Sequence, residues 1–192
     1  SILGVAHQYE VPVYAPSPGD STIGLNAAAI FTADPECGPR VDPSIDVAEM
    51  SAIVYNAKCE RNKPSAVWIL GGGAPKNFLL QTEPQLQEIL GIAEKGHDYF
   101  VQFTDARVDT GGLSGATPSE AMSWGKVDPD KLPDSVVAYV DTTIALPLVA
   151  SYLLTKCKRR EPRRLYGQRD EMLQTLRTEY KKTDLYRQQW GK

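Results

Sequence analysis

A lysine that follows a tryptophan and a glycine stands where a surface charge can become a nucleophile. That lysine is Lys126, which ends the stretch SEAMSWGK at residues 119–126. An indole beside an ammonium excludes water, which disfavours the charged form and lowers the amine's pKa. A neutral amine attacks an imine or carbonyl carbon. Glu120 and Trp124 lie four residues apart, on one face of a helix, and a carboxylate there can hold a cationic substrate nitrogen. Residue type alone leaves the choice open, because lysine is seldom buried and a solvated charge is its commoner role.

The elements that must position this group follow from pattern. TPSE (117–120) predicts a helix start with Thr117 as N-cap, Pro118 at the first helical position and Glu120 completing a capping box. Gly125 can end that helix, so that Lys126 leaves at an angle. Four strands are predicted: VPVYA (11–15, entered from a helical segment), AVWIL (66–70), DYFVQF (98–103) and SVVAYVD (135–141). Helices are predicted over 21–31, over 46–62 with Asp46 as cap, over 82–96 with Gly96 ending it, and over 142–156, with loops at 34–44 and 104–116. Alternating strands and helices give an α/β fold, a parallel sheet with helices on both faces.

Ligands of such sheets sit beyond the carboxyl ends of the strands. The expected ends are PGDS (18–21), GGG (71–73), TDA (104–106) and DTT (141–143), which should converge on one crevice. The glycine triplet of GGGAPKN lets backbone N–H groups approach a ligand, or it is only a tight turn. Asp20 and Asp141 are ribose-hydroxyl acceptors or helix N-caps, and both readings stay open.

Composition narrows the alternatives. With 42% hydrophobic and 23% charged residues in 192, the chain can bury a core of ordinary size. No apolar run reaches the roughly 18 residues that span a bilayer, and the first residues lack the basic-then-apolar order of a leader, so a cytoplasmic protein is expected. Cys37, Cys59 and Cys157 are widely spaced and are read as reduced and structural; with only His7 and His97 besides, no metal site is encoded and a Ser-His-Asp relay is disfavoured. Residues 156–192 hold 12 Lys/Arg against 5 Asp/Glu, whereas residues 1–155 hold 9 against 19. The basic tail reads as a solvated amphipathic helix, nucleic-acid binding being the lesser alternative, and the acidic body suits a cationic substrate.

Three segments carry a resemblance. LGGGAPKN (70–77), SGATPSEAMSWGKV (114–127) and AYVDTTIALPLV (138–149) resemble the C-terminal half of the deoxyhypusine synthase family, including its bacterial deoxyhypusine synthase-like proteins and homospermidine synthases. VPVYAPSPGDSTIG (11–24) resembles the strand and cofactor loop that precede them. The likeness covers residues 1–157, with 158–192 left as a charged helical tail. It implies a Rossmann-like, NAD-dependent transferase that assembles as a tetramer with sites at dimer interfaces. The family's nucleophile falls on Lys126, its substrate contacts on Glu120, Trp124, Gly111 and Asn77, and its NAD contacts on Asp20, Gly72, Asp105, Ala106, Asp141 and Thr142. The implied reaction moves an aminobutyl group from a polyamine such as spermidine to an acceptor amine through a lysine Schiff base. A non-catalytic NAD-binding or scaffolding subunit is the alternative.

The likeness has two departures. Acidic or histidine side chains that bind spermidine in the family stand here as Leu25, Asn77 and Leu113. The family's N-terminal half is also absent and the chain starts at Ser1 in what reads as mid-domain, so a cut, processed or divided polypeptide is expected, with a second chain or segment supplying that half. Alone, a sheet deprived of strands exposes its edges and should be neither stable nor active.

Overall fold

The computed structural model describes residues 1–191. In chain order the helices are α1 (Ile2–Gln8), α2 (Thr22–Ala33), α3 (Pro43–Tyr55), α4 (Ala74–Leu80), α5 (Thr82–Pro84), α6 (Pro118–Ser123), α7 (Thr142–Lys156), α8 (Arg169–Tyr180) and α9 (Asp184–Trp190). The strands are β1 (Ala66–Leu70), β2 (Tyr99–Thr104) and β3 (Ser135–Tyr139), all parallel in the order β1-β2-β3. Leu70 lies beside Phe103 and Thr104 beside Tyr139, so the three carboxyl ends are level. An open parallel α/β sheet with helices around it is thus observed.

In β1 and β2 the two-residue period sorts the side chains. Val67 and Ile69 are 2% and 5% exposed, while Trp68 and Leu70, which alternate with them, are 44% and 45% exposed. The buried face packs Val67, Ile69 and Phe100 against Leu80 of α4, Ala121 of α6 and Val127. Fully burying such side chains stabilises the fold by about 1.5–3 kcal/mol each. A second cluster joins Ala52, Val54 and Tyr55 of α3 to Leu86, Ile92 and two residues of the charged tail, Met172 and Leu176 on α8. The tail therefore buries one face and exposes the other.

Four local expectations are corrected. Residues 11–15 form no strand: Pro12 has no N–H to donate, and the segment is held by side chains instead, with the Tyr14 hydroxyl donating to Glu49 Oε2 at 3.3 Å and its ring 5.8 Å from that of Phe78. Helix α3 starts at Pro43 under Asp42, whose carboxylate accepts from the Ser44 and Ile45 amides, not under Asp46, and beyond Tyr55 it widens into a π turn at Asn56–Glu60. The helix expected over 82–96 is α5 followed by a π turn at Gln85–Ile89, and the left-handed glycine behind it is Gly91. Gly96 serves another purpose, since a Cβ there would meet the Val127 carbonyl carbon at 2.6 Å. The cysteines, finally, are all free and exposed and pack into no core.

Candidate functional site

The peptide that carries Lys126 is fixed from both sides. Thr117 Oγ1 accepts from the Glu120 amide at 3.2 Å and Pro118 occupies the first turn, as the sequence predicts, so α6 starts at a set point. Gly125 then adopts φ +68°, a left-handed conformation that side chains rarely take. Its amide donates to Met122 O at 2.9 Å and the Lys126 amide to Ala121 O at 3.0 Å, which turns the chain out of the helix. Gln87 Nε2 clamps the Gly125 carbonyl at 2.9 Å. Past the turn, Val127 is fully buried and bridges His97 in parallel, with the His97 amide donating to Lys126 O at 3.0 Å.

So anchored, the side chain of Lys126 enters a cavity of about 220 Å³ lined by Lys76, Asn77, Leu80, Leu113, Ala116, Glu120, Ala121, Trp124 and Lys126 itself. The amine donates to Asn77 Oδ1 at 3.0 Å. Burial lowers its pKa and the Glu120 carboxylate opposes that shift. Trp124 covers the cavity from the rim, being 64% exposed. Four of the residues expected in a substrate site, Asn77, Glu120, Trp124 and Lys126, are therefore brought together. Gly111 is not among the lining residues; it caps a short turn at Val108–Thr110 with φ +70°, and Leu113 from the same loop reaches the cavity instead.

Lys76 is the residue that sequence reading missed. It stands one position before Asn77 on α4, is 4% exposed, and donates to Gln102 Oε1 at 3.0 Å and Ala116 O at 2.7 Å. Burial lowers its pKa to about 8; Glu120 opposes the shift and Lys126 adds to it. The available signal was period: with Leu80 facing the core, Lys76 four residues earlier faces it too.

The other expected positions gather beyond the strands. Gly71 and Gly73 have φ of +84° and +75°, and a Cβ on either would meet nothing within 4 Å. Between them, a Cβ on Gly72 would lie 2.5 Å from Ser114 Cα, so that glycine lets the 104–116 loop dock on the turn. Asp105 is exposed and the Ala106 amide donates to Thr104 Oγ1 at 3.1 Å, just past β2. Asp141 caps α7, its Oδ1 accepting from the Thr143 amide at 2.7 Å and the Thr143 hydroxyl at 2.5 Å, with Thr142 next in the chain. Three of the four expected strand ends thus share one edge. Asp20 stands on the exposed turn Pro18–Asp20 before α2 and caps nothing, since Ser21 is the N-cap there.

The family model described as deoxyhypusine synthase matches residues 1–153. The chain belongs to the deoxyhypusine synthase family. It is 59% identical over 179 residues to the deoxyhypusine synthase-like protein of Nostoc punctiforme, an overlap covering 93% of this chain and 45% of the relative. Against the protein of the same description in Thermosynechococcus vestitus it is 53% identical over 186 residues, 96% of this chain and 46% of the relative. The probable deoxyhypusine synthase 1 of Methanosarcina mazei is 41% identical over 160 residues, 83% and 45% of the two chains. The chain spans about half the length of the curated relatives it matches.

Proposed function

We propose that this chain carries the nucleophile-bearing part of an NAD-dependent transferase that moves an aminobutyl group from a polyamine to an acceptor amine through a Schiff base on Lys126. The observation that carries the reading is the Lys126 amine itself: withdrawn from water, bonded to a neutral amide oxygen rather than to a carboxylate, and facing Glu120 and Trp124 across a small cavity. A lysine held that way supplies a free amine far more readily than one in an ion pair.

What supports a dinucleotide is the bare glycine turn, with open space over Gly71 and Gly73, at the level edge where three strands end. Gly72, Asp105, Ala106, Asp141 and Thr142 would hold NAD there, with Asp20 assigned to it on the family likeness alone. Both contacts that cap α7 use Asp141 Oδ1, which leaves Oδ2 for a ribose hydroxyl. When bound, NAD supplies the hydride acceptor that converts a secondary amine to an imine, and it returns the hydride to the product imine.

The chain's own groups perform the transfer between those events. The carboxylate of Glu120 binds a cationic nitrogen of the donor and Trp124 shields the reacting carbon from water, which would hydrolyse it. Lys126 Nζ adds to the imine carbon, the departing amine leaves with a proton, and the four-carbon group remains as a lysine imine. Asn77 Oδ1 holds Nζ in line by its hydrogen bond. The acceptor amine then adds to the same carbon and releases Lys126. Leu25 and Leu113 offer no charge to a polycation, so we assign a donor or acceptor different from those of deoxyhypusine formation and favour the joining of small amines.

The sheet face carrying Trp68, Leu70 and Tyr99, and the outer side of α7 with Ile144, Leu148, Tyr152 and Leu154, are exposed apolar surface. We assign them to contacts with a further segment or chain in a tetramer-like assembly. Among the described residues no helix is long and apolar enough to cross a membrane, and the cytoplasm is the compartment proposed. The test is product formation by the assembled protein given NAD and labelled spermidine or putrescine. Transfer of label to a second amine, lost in Lys126→Ala with assembly unchanged, is expected; equal activity in that variant would make this chain a scaffold.

A further inference from the structure

The cavity around Lys126 holds two lysines and one carboxylate. Lys76, Lys126 and Glu120 are its charged lining residues, and the remainder are Asn77 and apolar groups. One carboxylate leaves two ammonium ions unbalanced in a space of about 220 Å³, and two amines that interact strongly at such a site would share their titration. Their surroundings differ in what they accept. Lys76 meets two oxygens, Gln102 Oε1 at 3.0 Å and Ala116 O at 2.7 Å, and its ammonium lies 5.6 Å from the centre of the Phe100 ring. Both oxygens and the ring face favour a cation. Lys126 meets one oxygen, that of Asn77.

The Lys76 site is also built rather than incidental. Gln102, 1% exposed at the centre of β2, turns its carbonyl to Lys76 because its amide nitrogen is already committed to Gly71 O and Ser114 O, each at 2.8 Å. A lysine fixed so rigidly next to a candidate nucleophile, without a carboxylate among its hydrogen-bond partners, has no evident purpose as an ion pair.

We propose that Lys76 is a positioning residue for Lys126: its ammonium, held on the Gln102 and Ala116 oxygens at the cavity wall, makes a second positive charge unfavourable and so keeps the Lys126 amine unprotonated and nucleophilic. Lys76 acts on the site assigned above, and its role rests on that reading of Lys126. Burial lowers both amines, and the charge of Lys126 is a further cause that lowers Lys76. Because coupling between two sites is reciprocal, removing either charge must raise the other amine by the same amount.

The experiment is a pH titration of the full chain labelled with ε-¹³C-lysine, followed by NMR, with signals assigned by deletion. In Lys76→Met the Lys126 midpoint is expected to rise by about one pH unit, and in Lys126→Met the Lys76 midpoint by the same amount. In Lys76→Arg, which keeps a charge, Lys126 should stay low. If Lys76→Met fails to fold, Lys126→Met measures the same coupling from the more exposed partner. Unmoved midpoints overturn the proposal, because a merely structural Lys76 would lower activity at every pH without shifting any midpoint. The readout needs no turnover: coupled midpoints without any covalent labelling of Lys126 would overturn the transferase reading alone, and labelling without coupling would overturn the role of Lys76 alone.

Discussion

Two lysine sites drawn back from water, one around Lys58 and one around Lys76 and Lys126, are opposites in this chain. At one, Lys58 is surrounded by carboxylates, with Nζ 2.7 Å from Glu94, 3.3 Å from Asp98 and 3.8 Å from Glu83, and it also donates to Gly96 O. Burial would lower its pKa, but the carboxylates outweigh burial and raise it. At the other, Lys126 and Lys76 share the single carboxylate of Glu120, and burial wins. The two are joined by the short bridge between His97 and Val127. What decides whether a buried lysine is an inert cation or a usable amine is therefore the number of carboxylates against it, more than the burial.

The comparison can be broken most forcefully at its inert side. Lys58→Met leaves Glu94 and Asp98 without their cation and is expected to cost about 3–5 kcal/mol, read as a fall in the midpoint of denaturant unfolding. Next in size is an exchange of character. Asn77→Asp sets a carboxylate against Lys126 and makes it resemble Lys58, so its pKa should rise by about 1–3 units and the neutral amine at pH 7 should fall in proportion. The trapped intermediate should recover at alkaline pH; a loss independent of pH would contradict the electrostatic explanation.

A smaller, signed effect tests the surplus carboxylate. Glu83 is fully buried, faces Lys58 only after Glu94 and Asp98, and is pushed up to about 8 from 4.5, chiefly by burial. Among the described residues neither of its oxygens has a hydrogen-bond partner. The folded protein thus binds that proton more tightly than the unfolded one, and the stability this gives below pH 4.5 is lost as pH rises through about 8. Glu83→Gln stays neutral throughout, so its thermal midpoint should exceed the parent's by a few degrees above pH 8 and the gap should close below pH 4.5. His97 works the other way: burial holds it down at about 4 from 6.5, so its contribution is present above pH 6.5 and lost as pH falls toward 4. The smallest effect is expected from Trp124→Ala, which lets water reach Lys126 and should lower the neutral-pH rate several-fold while leaving the unfolding midpoint nearly unchanged, given how exposed the indole is.

The Lys126 side of this pair was more legible in the sequence than the Lys58 side, for physical reasons. Local signals define the Lys126 peptide: Thr117 and Pro118 start its helix, Gly125 ends it, and both act on near neighbours. AVWIL and TTIALPLVASYLLTK likewise read off directly as β1 and α7, because period and a capping residue decide them. Lys76 and the Lys58 cluster depend on contacts between distant segments, such as Ser65 with His97 or Lys76 with Ala116, which no local window contains. The end of the helix after Thr82 was missed for a related reason. Two glycines, Gly91 and Gly96, compete as its stop, and only the docking of the 126–128 segment shows that the second makes room for a neighbouring backbone. The strand expected at 11–15 had the right side chains, but Tyr14 found its partners on α3 and α4 rather than on a sheet edge.

The most direct measurement is the mass of the Lys126 peptide after the assembled protein has been incubated with NAD and a polyamine and reduced with borohydride. A stable aminobutyl adduct confined to Lys126, stronger as the pH rises through the amine's lowered midpoint and absent when NAD is withheld, is the expected result. An unmodified Lys126 with every common polyamine, or an adduct spread over exposed lysines without regard to NAD, would contradict it.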